Sequence, residues 1–306
     1  MTGLEAIILT IITASTPLLL AATGELVVER SGVLNLGVEG MMVMGAACAF
    51  IATVNSGSPT VGIVAGICAG IGVSLLFAFL TQTLITNQVA TGLAITLFGL
   101  GLSGLIGESY TGQPGIKLAD LSIPSISDIP FFGKIIFSHN FIVYVSFILA
   151  AGVAYVLSRT RVGLIIRATG DNHYSAHTLG YSVIAVRYGC IAFGGACSGL
   201  AGAYLSVAYT PQWVENMTAG RGWIALALVV FATWMPSRVI LGAYLFGTVW
   251  IMGLYAQALG LAMPSQLLSA LPYLVTIAAL VIISGNRRLN RVNTPACIGR
   301  PFVADR

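Results

Sequence analysis

Apolar runs suited to crossing a lipid bilayer recur along this chain, at 4–23, 35–54, 60–80, 83–106, 140–158, 186–209, 222–235, 238–259 and 267–284. A helix needs about 20 apolar residues to traverse the hydrocarbon layer. Of 306 residues, 57% are hydrophobic and 8% charged, where a soluble domain carries about 25% charged residues. No water-soluble core hides that much apolar surface. The sequence predicts an all-α integral membrane protein: a polytopic helical bundle of about 9 transmembrane helices (range 8–10), forming one membrane domain over 1–306. The seventh run is dense only over Trp223–Trp234 and ends at Met235-Pro236, which reads as a broken or re-entrant piece. No basic region precedes Leu4–Ala22, and that run is long for a signal-peptide core, so it reads as a retained first span.

Basic residues set the orientation. The loop 158–187 carries Arg159, Arg161, Arg167 and Arg187, and the tail 285–306 carries Arg287, Arg288, Arg291, Arg300 and Arg306, nine of the fourteen Lys and Arg. The loop 107–139 instead has Glu108, Asp120 and Asp128 against Lys117 and Lys134. By the positive-inside rule the two Arg-rich segments face the cytoplasm and 107–139 faces out. Nine spans then place the N-terminus outside and the C-terminus inside. Pro114, Pro124 and Pro130 break any helix in the external loop, which reads either as an ordered cap or as a connector.

Several chemistries are excluded. No GxxxxGK[ST] phosphate loop occurs, and the single Gly-Lys pair, Gly133-Lys134, is followed by Ile. Any ATP drive must therefore come from another subunit, and no cofactor of the chain's own is expected. Gly99-Leu-Gly-Leu-Ser-Gly104 matches GxGxxG but sits in an apolar run far longer than a strand, the wrong context for a dinucleotide. The net charge of +4 is too scattered for nucleic acid. Five cysteines show no CxxC pairing, and His139, His173 and His177 occupy loop positions, so neither a metal nor a catalytic centre is expected. Gly62-xxx-Gly66-xxx-Gly70 and Gly195-xxx-Gly199 set small residues on one helix face, where backbones approach closely.

Two segments carry polar chemistry. In Gly32–Gly45 an amide, Asn35, and a carboxylate, Glu39, open a span among Gly37, Gly40 and a methionine cluster. Asn35 is a candidate cap for that helix. Glu39 has two open readings, a hydrated interfacial group or a group beside the substrate path. In Arg159–Gly180, Asp171 or Asn172 is a good N-cap and Gly180 a good stop, enclosing a helix of about two turns. It reads either as a knob docking into another protein or as a solvated positive loop.

At these segments the chain resembles a known family. Ser31-Gly-Val-Leu-Asn-Leu-Gly-Val-Glu-Gly-Met-Met42 resembles the signature of permeases of the ribose/nucleoside importer class of ABC transporters. Arg167-Ala-Thr-Gly-Asp-Asn172 resembles their cytoplasmic coupling segment, Gly222-Trp-Ile-Ala-Leu-Ala-Leu228 the start of their late spans, and Pro295–Val303 their C-terminal tail. The likeness runs from about residue 14 to the end and favours the nucleoside-type branch. It departs after Asn172, where the family has Pro and basic residues and this chain has His173, Tyr174, Ser175, Ala176 and His177. The resemblance implies a permease subunit in a bacterial cytoplasmic membrane that moves nucleosides or simple sugars by alternating access. Implied partners are a second, non-identical permease, a cytoplasmic ATP-binding subunit gripping 167–180, and an extracytoplasmic substrate-binding lipoprotein. Asn35, Gly37, Glu39 and Gly40 are expected near the pathway, and Arg167, Gly170, Asp171 and Asn172 at the coupling interface. Branched-chain amino-acid permeases usually carry Ala-His-Gly where Val38-Glu39-Gly40 stands here, which ranks that substrate second. An ion-coupled transporter needs buried charge relays in several spans, and the sequence offers almost none.

Overall fold

The computed structural model describes residues 3–121, 138–258 and 293–303, with isolated positions between 266 and 281. Most of the ninth run, 267–284, half of the tail 285–306 and the stretch 122–137 of the 107–139 loop lie outside the described residues. Among the described residues, seven helices are long and apolar enough to span a membrane. They are α1 (Gly3–Arg30), α2 (Val38–Ser56), α3 (Pro59–Ala78), α4 (Gln88–Gly107), α5 (Phe141–Arg159), α8 (Val183–Ala203) and α10 (Pro236–Ala258). Short π-turns at Phe79–Thr83 and Tyr204–Tyr209 prolong α3 and α8. Three shorter helices are α6 (Arg161–Asp171), α7 (His173–Thr178) and α9 (Arg221–Phe231). This is a multi-pass membrane protein.

The run 222–235 does not form a full span. Helix α9 has 11 residues, about 16 Å at 1.5 Å per residue, roughly half the hydrocarbon thickness. It ends where Thr233 and Trp234 take left-handed backbone (φ 49° and 54°) and Pro236 starts α10. Helix α1 runs seven residues past the expected end at 23, through Glu25, Glu29 and Arg30. Those charges break the apolar pattern, yet the structure accommodates them inside. Asn35 Nδ2 donates to Glu25 Oε2 (3.4 Å), Trp234 Nε1 donates to Glu29 Oε2 (2.5 Å), and Arg30 donates through Nε and Nη2 to the Trp234 carbonyl (3.0 and 2.8 Å).

The centre of the bundle is a seam of small residues where α2, α3 and α8 meet. A Cβ on Gly45 would fall 2.6 Å from Gly199 Cα, and one on Gly199 would collide with the Gly66 carbonyl. Both glycine series read from the sequence face this seam. Between helices in lipid there is no hydrophobic drive, so close backbone approach supplies the packing. Gly99, first residue of the dinucleotide-like match, instead abuts Gly40, with the Gly40 carbonyl 2.6 Å from a built Cβ.

The bundle has two distinct ends. At one, the segment 159–187, the end of α1 and residues 293–303 converge; Cys297 N–H donates to the Gly170 carbonyl (2.8 Å) and Gly299 N–H to the Gly32 carbonyl (3.1 Å). Both Arg-rich segments contribute to this end. At the other, the described part of loop 107–139 folds down as a cap, with Leu118 N–H on the Val207 carbonyl (3.0 Å), Leu121 N–H on the His139 carbonyl (3.0 Å) and Lys117 paired to Asp120 at 3.2 Å.

Candidate functional site: a helix junction inside the bundle and a short capped helix at its Arg-rich end

After Arg30 the chain turns back into the bundle, so α2 begins at depth. Gly40 packs against Gly99, about 16 Å along α4 from its Gln88 end. Gln88 itself accepts from Leu34 N–H (2.9 Å) near the Arg-rich end. The expected cap is corrected here. The residue at the N-cap of α2 is Gly37, without a side-chain cap, and Asn35 Oδ1 accepts from Gly37 N–H at 2.9 Å to close a local turn. The turn is possible because Asn offers a short acceptor to the backbone two residues on.

Glu39 is 2% exposed, which removes the interfacial reading. Its carboxylate accepts from Thr218 Oγ1 (2.5 Å), Gly220 N–H (2.9 Å) and Gly222 N–H (2.6 Å). Two of these donors open α9, whose first N–H groups have no partner within the helix. A carboxylate at a helix N-terminus also meets the positive end of the helix dipole. Gly222 allows the approach, since a Cβ there would lie 2.6 Å from the Glu39 backbone. Glu39 thus joins the starts of α2 and α9 at mid-depth. Irregular backbone at such depth survives only when buried in protein or lining a cavity.

The strand of chain entering this junction, 210–220, is open on one side. Val214, Glu215, Asn216 and Ala219 are exposed, and Asn216 and Ala219 have φ of 56° and 48°. Glu215, Trp213, Gly101, Gly104 and Glu108 help line a cleft of about 360 Å³ against α4.

At the Arg-rich end α7 stands as expected. Asn172 Oδ1 accepts from Ser175 N–H (3.0 Å), and Gly180 (φ 87°) closes the helix, with Gly180 N–H on the His177 carbonyl (2.8 Å) and Tyr181 N–H on the Ala176 carbonyl (3.2 Å). Gly170 is flush with the end of α1: a Cβ would strike the Arg30 carbonyl. Burial pushes the Asp171 carboxyl up, against the opposing pull of Arg30 and Arg167. Arg167 Nε reaches its own helix at the Gly163 carbonyl (3.4 Å). The departing residues His173, Tyr174 and His177 surround Phe302, with ring centroids at 5.4, 5.8 and 5.3 Å.

Thr218, Gly220 and Phe302 were not singled out from the sequence, and Arg187 entered only as one of the basic residues of the loop 158–187, whereas the structure buries it. Arg187 left a signal, a lone cation at the start of a long apolar run; the donors to Glu39 left none, because they lie about 180 positions away in the chain.

The family described as branched-chain amino acid transport system / permease component matches residues 7–281, and the chain belongs to it. Among its relatives, TsgC13 of Haloferax volcanii, named for glucose ABC transport, is 41% identical over 294 residues, covering 87% of this chain and 88% of that protein. The guanosine ABC transporter permease protein NupQ of Bacillus subtilis is 31% identical over 94% of this chain and 93% of its own length. The nucleoside ABC transporter permease protein NupC of Lactococcus lactis is 29% identical over 92% and 93%. No solved structure matches the chain.

Proposed function

We propose that this chain is the membrane-spanning permease subunit of an ABC importer for nucleosides or simple sugars, set in a bacterial cytoplasmic membrane with its Arg-rich end inside. The observation that carries the reading is α7: a helix of six residues, capped at both ends and held out at the Arg-rich end, in a chain without a phosphate loop of its own. Such a helix is too short to persist alone, and its use is as a handle for a nucleotide-hydrolysing partner. The names of relatives on both sides of the sugar and nucleoside divide support the substrate class, and they favour it over branched-chain amino acids.

In this reading 1–306 is one permease domain that pairs with a second, non-identical permease. A cytoplasmic ATP-binding subunit holds Arg167, Gly170, Asp171 and Asn172, and a lipoprotein delivers solute at the capped end. The solute passes beside the open segment 214–219, whose Glu215 and Asn216 offer hydrogen bonds to sugar hydroxyls. Asn35, Gly37, Glu39 and Gly40 frame that path from behind, fixing where α2 and α9 begin. Binding at broken helices near the midplane is a recurrent solution in transporters.

Proteoliposomes holding both permeases, the ATPase and the binding protein test this. ATP-dependent uptake of a radiolabelled nucleoside or sugar is expected, and Asp171→Ala with Asn172→Ala should abolish it while insertion persists. Solute movement by this polypeptide alone would overturn the reading.

A further inference from the structure

The assignment of 167–180 to ATPase coupling leaves open how movement of so short a helix reaches the bundle, and the following rests on that assignment. We infer that the segment Pro295–Val303 is a coupling strap, and that Arg187 is the positioning residue joining the strap and α7 to the pathway helices.

Arg187 is entirely buried. Its Nε donates to the Ser31 carbonyl (3.3 Å), Nη1 to Gln82 Oε1 (3.3 Å) and the Arg300 carbonyl (3.1 Å), and Nη2 to His173 Nδ1 (3.3 Å). One guanidinium therefore ties together the end of α1, the end of α3, the strap and the first residue of α7. Every acceptor is neutral, and no carboxylate pairs with it among the described residues. Burying a cation without a counter-charge costs stability, and only its hydrogen bonds offset that cost. Its planar fork suits it to holding several segments in a fixed mutual geometry.

The strap grips the same parts from the other side. Cys297 bonds Gly170 at the end of α6, Gly299 bonds Gly32 in the turn after α1, and Cys297 Sγ donates to the Asp171 carbonyl at 3.4 Å. Phe302, 5% exposed, is wedged among three rings of α7. A displacement of α7 is thus passed through Phe302 and His173 to Ser31 and Gly32. From there the chain leads in a few residues to Asn35 and then Glu39, which holds the start of α9. The route joins the partner-facing helix to the mid-depth junction through ring packing at Phe302, hydrogen bonds at Arg187 and the chain itself from Ser31 to Glu39.

The test uses the fully assembled transporter with Phe302→Ala, Phe302→Trp and Arg187→Lys. Three quantities are read: ATPase subunit retained on the purified permease pair, ATP hydrolysis, and solute moved per ATP. Phe302→Ala is expected to retain the ATPase and its hydrolysis but lower solute moved per ATP by at least about fivefold, the scale of an ordinary coupling energy. Phe302→Trp, which preserves an aromatic wedge, is expected to keep the ratio. Arg187→Lys is expected to lower it, because a point charge cannot serve four separated acceptors. An unchanged ratio in Phe302→Ala overturns the inference, as does a loss of assembled complex with a normal ratio in the remainder. Absence of ATP-driven uptake in the wild-type assembly would instead overturn the function on which the inference rests.

Discussion

Glu39 and Gly222 stand 183 positions apart and share a hydrogen bond of 2.6 Å, by which the second residue of one helix terminates the open donors of another. A contact of this kind makes the placement of α9 depend on α2. The position of the half-helix α9 at the end of the open segment 210–220 follows from it.

Replacing that carboxylate should loosen the junction. Glu39→Ala leaves the buried donors Thr218 Oγ1 and Gly222 N–H and the part-buried Gly220 N–H without an acceptor, and each unsatisfied buried group costs about 1–3 kcal/mol. We expect a lowered melting temperature in detergent and near-complete loss of uptake. Glu39→Asp should fall between, because a shorter side chain keeps the charge but not all three distances. A Glu39→Ala protein that melts with the wild type would refute the clamp.

The glycine seam gives a second prediction with an internal control. Gly199→Ala places a methyl against the Gly66 backbone, while a Cβ at Gly72 meets nothing within 4 Å. Overpacking of this sort costs about 1–3 kcal/mol. Gly199→Ala should lower the yield of folded protein by size-exclusion profile, and Gly72→Ala should match the wild type. Equal profiles for the two would show that the seam yields easily.

The caps of α7 are separable from its surface. Asn172→Ala removes the acceptor for Ser175 N–H, at a cost of about 1 kcal/mol, and Gly180→Ala forces a Cβ into left-handed backbone. Both should speed hydrogen exchange over 173–178 and reduce uptake without changing membrane insertion. Exchange rates unaltered in both variants would mean that tertiary contacts alone hold the helix.

His173 should confer a pH dependence on strap docking. Its Nδ1 accepts from Arg187, which requires the neutral ring, and burial with the nearby Arg187 and Arg300 charges lowers its pKa below the ordinary 6.5. A depressed folded-state value means that the unfolded or undocked form binds more protons, so stability rises with pH across the gap. The contribution is complete above about pH 6.5 and fades as pH drops toward the folded value. Hydrogen exchange at 173–178 measured from pH 8 to pH 5 should accelerate at the acid end, and His173→Phe should flatten that response. The other charged and titratable groups facing this cluster are Cys297 and Arg300 on the strap, Arg187 on α8, and Tyr174 and His177 on α7.

The long apolar helices were legible because lipid demands them: about 20 apolar residues in a row have few other uses, and Gly62, Gly66, Gly70, Gly195 and Gly199 marked their packing face. The capped helix α7 was legible too, since Asn172 and Gly180 act on backbone only a few residues away. Helix α1 was read short because Glu25, Glu29 and Arg30 look like an exit from the membrane. Their partners Asn35 and Trp234 turn those charges inward, and Trp234 lies over 200 positions on.

Local pattern thus determined the class of molecule, its lipid-facing lengths, the glycine faces and the ends of α7, all of which depend on neighbours within one or two helical turns. Tertiary structure alone decided that Glu39 anchors a half-helix, that Arg187 binds four segments and that Phe302 fills the space between the rings of His173, Tyr174 and His177. Each of these is a polar or aromatic group satisfied by residues remote in the chain, and no period in a sequence encodes who will meet whom once the helices are packed.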